Sequence, residues 1–98
     1  MKKEEARKFL ADASPECCFW VNDGSVIKNL EELHNALASM SNEAFIHHVN
    51  KEKNDFSNWV KDILGDKRLA DDLMKSKTKQ SVVNKVKQRL QVLKRSAG

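Results

Sequence analysis

His47 and His48 stand side by side a short link ahead of Asn54, Asp55 and Trp59, in the stretch HHVNKEKNDFSNW. Imidazoles near a carboxylate and a carboxamide are the groups from which acid–base and metal sites are made. Their spacing does not suit a shared ion. Neighbouring helical positions point about 100° apart, so helical metal sites use residues one turn away, at i and i+4. Glu52 has that spacing from His48, but it lies in a polar link and would complete only a weak two-ligand site. The sequence therefore indicates a structural joint. In it, His48 borders the core and bonds a backbone carbonyl of the next loop, while His47 faces water. Asn54 or Asp55 is expected to cap the following helix, whose first amides need acceptors.

Cys17 and Cys18 formally complete a Cys2His2 set with the histidines. Consecutive strand residues point to opposite faces, and none of the finger spacings is present, so zinc is not expected. One buried and one exposed thiol is the simpler expectation. A disulfide between neighbours would be strained and no third cysteine exists, which favours a reducing compartment. Trp20 and Trp59 could stack on bases or sugars. As two of only six aromatics they are expected in the core, with an exposed Trp20 the alternative if it lies on a hairpin. There is no serine or cysteine nucleophile arrangement, and three glycines make no phosphate loop. Catalysis, a cofactor and a small-molecule substrate are not expected.

Charge is the strongest hint in the chain. Residues 1–74 carry ten Lys/Arg against fourteen Asp/Glu, whereas residues 75–98 carry eight Lys/Arg and no acid. The basic set is Lys75, Lys77, Lys79, Lys85, Lys87, Arg89, Lys94 and Arg95. Such asymmetry raises the question of a polyanionic or acidic partner.

These residues need elements to hold them. Ninety-eight residues fill one core, so a single domain is expected. No apolar run is long enough for a signal core or a membrane span, and a cytoplasmic location follows as the expectation. Residues 2–12 read as a short helix with Ala6, Phe9 and Leu10 on one side, prone to fray and ended before Pro15. CFWVNDGSVI reads as a β-hairpin, with strands near 18–22 and 25–28 and a type I′ turn at Asp23-Gly24. Asn29 and Glu32 form a capping box for a helix carrying Leu30, Leu33 and Leu37 to about Ser39. Ser41 caps a second, in which Phe45, Ile46 and Val49 share a face. A third places Phe56, Trp59, Val60, Ile63 and Leu64 on one side and stops at Gly65. Asp66 starts a fourth, with Leu69, Leu73 and Met74 inward, and Thr78 the last, to about Arg95. The fold class is α+β, mostly helical, with one hairpin packed on five or six helices.

FWVNDG at 19–24, NLEELHNAL, HHVN, KNDFSNWVKDILGD and Leu69-Ala70 together resemble a small family of bacterial and archaeal domains of unknown function, number fifty-seven fifty-two. The resemblance covers roughly residues 18–75 and rests mainly on HHVN followed by NDFSNW. It implies a compact cytoplasmic domain, sometimes joined to others, and carries no activity with it.

In the terminal helix Val82, Val83, Val86, Leu90 and Leu93 form an apolar stripe, with Lys87 and Lys94 on one border and Lys85 and Arg89 on the other. Three readings follow. The stripe packs on the acidic body, with its cations in water or paired to residues such as Asp71 and Asp72. The helix is partly free and attracts nucleic-acid phosphates. Or it lies on an anionic membrane surface or in a partner's groove. The expected function is non-catalytic docking of a protein or other macromolecule through the hairpin face or this helix, the basic residues steering the approach. Weak sequence-independent nucleic-acid binding is the alternative.

Overall fold

A computed structural model describes residues 1–98. The order is α1 (Lys3–Leu10), a 3-10 turn (Pro15–Cys17), β1 (Phe19–Trp20), β2 (Val26–Ile27), α2 (Leu30–Ser39), α3 (Asn42–His48), α4 (Asp55–Trp59), a π turn (Val60–Leu64), α5 (Lys67–Met74) and α6 (Lys79–Ala97). This is the expected mostly helical α+β arrangement. No helix is long and apolar enough to cross a membrane.

Most helix starts carry the capping chemistry the sequence announces. The Asn29, Ser41, Asn54, Asp66 and Thr78 side chains each accept the backbone N–H three positions on. Glu32 Oε1 closes the box at α2 by accepting Lys28 N–H at 2.9 Å. Asn54 does more than cap. It also donates to Leu73 O at 3.0 Å, while Ser57 donates to Ala70 O at 2.7 Å, so two buried polar side chains clasp α4 to α5.

α6 is the spine of the fold, with α1, α2 and α5 packed along it. Val82, Val86, Leu90 and Leu93 are all buried, and each such side chain contributes about 1.5–3 kcal/mol when removed from water. That is the packed reading of the terminal stripe. Nor is α1 a frayed end: Ala6 is fully buried, and Phe9 and Leu10 pack against the core.

The hairpin is shorter than expected, with Phe19 opposite Ile27 and Trp20 opposite Val26. Its turn is not type I′, because only Gly24 has positive φ (97°) and Asp23 does not. Gly24 N–H instead donates to Val21 O and Val21 N–H to Ser25 O, each at 2.9 Å. This longer loop asks for the left-handed region at one residue, which glycine supplies. One hairpin face, with Phe19 and Ile27, joins the core.

Three apolar residues expected inside face out: Ile46, Ile63 and Met74 are 59%, 40% and 47% exposed. α3 ends at His48, so Val49 follows an extended backbone rather than the helical face assumed for Ile46. At Ile63 the π turn, closed by Gly65 N–H donating to Val60 O, breaks the 3.6-residue register. Met74 is the last residue of α5, just past the turn in which Leu73 is fully buried.

Candidate functional site

The joint between α3 and α4 forms around His48, which is buried while His47 is exposed. Its partner is not the expected carbonyl. Asn22 N–H, from the hairpin turn, donates to His48 Nε2 at 3.1 Å, and Nδ1 lies 2.9 Å from Asp55 Oδ2. A backbone N–H can only donate, so Nε2 carries the lone pair and Nδ1 carries the proton that Asp55 accepts. Lys53 Nζ adds a second contact to the same carboxylate oxygen at 3.0 Å. Phe19 and Phe56 complete the ring's surroundings, with centroids 5.0 and 5.4 Å away.

The Asp55 carboxyl sits below the ordinary aspartate pKa. Burial pushes it up, but the hydrogen bonds from His48 and Lys53 and the Lys53 charge outweigh that push. At the hairpin tip, Asp23 is also lowered, chiefly because it accepts from Ser25. A histidine held this way lacks the open acceptor a general base needs, since Asn22 N–H already occupies Nε2. What it can do is fasten. His48 ties the hairpin turn, the end of α3 and the start of α4 to one ring.

Cys17 and Cys18 are both free and half-buried, not split between core and solvent. Cys17 contributes its carbonyl, which accepts the Trp59 indole N–H at 2.8 Å. Trp59 belongs to the core. Trp20 does not: at 69% exposure it stands on the outer hairpin face beside its cross-strand neighbour Val26, itself 44% exposed. Trp20 thus takes the alternative, exposed position rather than the expected core one, and the alternation of a two-stranded pair is the signal that separates it from Phe19.

The basic residues of the last segment divide. Arg89 is not a free cation, because Nε donates to Asp66 Oδ2 at 2.7 Å and Nη2 to Oδ1 at 2.9 Å, with Asp66 fully buried. Asp66 is thus both the α5 cap and the counter-ion of α6, a role that falls on neither Asp71 nor Asp72. Lys79 Nζ donates to Met40 O at 2.6 Å, closing the C-terminus of α2. Lys94 pairs with Glu31 at 2.8 Å on the surface. Lys77 reaches only its own α5 end, at Met74 O. Lys75, Lys85, Lys87 and Arg95 are exposed and unpaired. Sequence reasoning overlooked Arg68, which is exposed on α5 and shares a groove with Lys85; nothing in local spacing links residues that meet only when α5 and α6 pack.

No curated protein and no solved structure matches the chain. A family model does match, over residues 16–95, so the matched unit includes most of α6 as well as the hairpin and the His48 joint, and the chain belongs to that family of unknown function (DUF5752).

Proposed function

We propose that this domain is a non-catalytic interaction module that docks a protein partner through the outer face of its hairpin. The observation carrying this reading is Trp20, the most exposed large apolar side chain of the chain, set beside Val26 on a strand pair whose other face is locked in the core. Tryptophan is among the residues enriched at binding hot spots, since it covers much area and loses little conformational freedom. Rigidity supports the same reading. Asn22 N–H on His48 and Ala13 N–H on Lys28 O hold the hairpin at its turn and its base, so the anchor is pre-positioned. The free cations Lys75, Lys87 and Arg95 steer an acidic partner without supplying its main contact.

The test is affinity capture from a cell extract, followed by binding measurements with the recovered partner. Trp20→Ala is expected to abolish the complex, and a Lys75→Gln, Lys87→Gln, Arg95→Gln variant to slow association while leaving the complex intact. A complex that survives Trp20→Ala overturns the reading.

A second reading, weak sequence-independent nucleic-acid binding, is favoured by the unpaired Lys75, Lys85, Lys87 and Arg95. Anisotropy of labelled DNA and RNA at low and physiological salt tests it. Binding that weakens steeply with salt supports it, and no binding at low salt removes it.

A further inference from the structure

Arg89 has a second edge that the ion pair with Asp66 does not use. A guanidinium carries five N–H donors, and Asp66 takes one from Nε and one from Nη2. The two on Nη1 and the second on Nη2 meet no acceptor within the protein, yet no buried side-chain nitrogen or oxygen is left without a partner. Nη1 is therefore open to solvent. Arg89 lines a groove of about 450 Å³ between α5 and α6, together with Arg68, Asp72, Lys85, Gln88 and Ser96 among others. Arg68 and Lys85 are exposed and make no ion pair, and the hydroxyl and amide of Ser96 and Gln88 add neutral donors. The Phe9 ring lies 6.0 Å from the guanidinium carbon and supports its face. The result is a guanidinium held by Asp66 and flanked by Phe9, with unpaired donors, in a groove it shares with two exposed cations.

We propose that this groove is a binding site for a phosphate group. Planar guanidinium donors match phosphate oxygens, and holding Arg89 in place removes the ordering cost that a free arginine would bear. The Asp72 carboxylate opposes an anion, which sets the site's affinity below that of a groove lined by cations alone. Asp66 balances Arg89 from behind, so the attraction comes from Arg68 and Lys85 and the orientation from Arg89. None of these residues belongs to the hairpin, and the site is separate from the docking face proposed above.

The test is a titration of the whole chain with inorganic pyrophosphate, followed by amide and arginine Nε–H resonances, against sodium chloride at matched ionic strength. Saturable shifts at Arg68, Lys85, Gln88 and the Arg89 Nε–H are expected. Because Arg68 and Lys85 are exposed, an Arg68→Gln, Lys85→Gln variant keeps the fold and is expected to bind at least about tenfold more weakly, the loss of charge-assisted hydrogen bonds. Lys75→Gln, Arg95→Gln is expected to bind as the parent does. A short RNA that displaces pyrophosphate with the same dependence on Arg68 and Lys85 assigns the groove to the phosphates of a polynucleotide. Shifts equal to those with chloride, or unchanged binding by the Arg68, Lys85 variant, overturn the site.

Discussion

The terminal helix and the hairpin make opposite use of similar material. α6 carries the most conspicuous charge of the sequence, yet its apolar stripe is buried and its Arg89 is paired with Asp66. The hairpin is two residues per strand, yet it leaves a tryptophan in water. The contrast teaches that a run of charge marks an element without saying which way it faces. A basic helix with an apolar stripe looks like a docking arm until a buried acid is found opposite its border.

The contrast breaks most directly if α6 can be removed. A chain truncated after Lys77 is expected to lose cooperative thermal unfolding, because α1, α2 and α5 all pack on the missing helix; a preserved melting transition, read by circular dichroism, would contradict the role given to Val82, Val86, Leu90 and Leu93. Next in size is Arg89→Leu, which leaves Asp66 charged and buried without its partner. A loss of about 3–5 kcal/mol in urea unfolding is expected. If Asp66→Asn in the same chain restores much of that loss, the cost lies in the orphaned charge rather than in packing.

The hairpin's fastening gives a smaller, pH-dependent effect. Folding lowers the Asp55 pKa below its ordinary value of 3.8, so in that range the unfolded chain binds more protons than the folded one. The Asp55 contribution is therefore complete above about pH 5 and is lost as the pH falls through the folded value. Asp55→Asn is expected to flatten the stability profile in this acid window, and an unchanged profile would separate Asp55 from the His48 joint. The smallest effect on stability belongs to Trp20→Ala, expected to fall within about 0.5 kcal/mol of the parent because the ring is mostly in water. A large loss there would mean that the outer face serves the fold, and the comparison with α6 would collapse.

Much of this was legible in the sequence where the signal is local. Caps at Asn29, Ser41, Asn54, Asp66 and Thr78 lie next to the amides they satisfy, and the leucine spacing of α2 and α6 is the core face itself. Long-range partners were not legible. His48 was readable as a joint, but its acceptor role toward Asn22 depends on how the hairpin turn meets α3, across 26 residues. Arg89 looked like one cation among eight because its counter-ion caps a different helix, 23 residues earlier. Ile63 was misplaced for a local reason that leaves no mark in composition, a π turn ahead of Gly65 that shifts the face by part of a turn.

Hydrogen exchange of the backbone amides, measured residue by residue on the whole chain, compares the two regions in one experiment. The expected result is that amides from Val86 to Leu93 exchange only when the whole molecule unfolds, while those of the hairpin, with its two paired positions and one open face, exchange through smaller local openings. Amides of α6 that exchange as fast as a frayed helix, with the hairpin the better protected of the two, would contradict the assignment of α6 to the fold and of the hairpin to the partner.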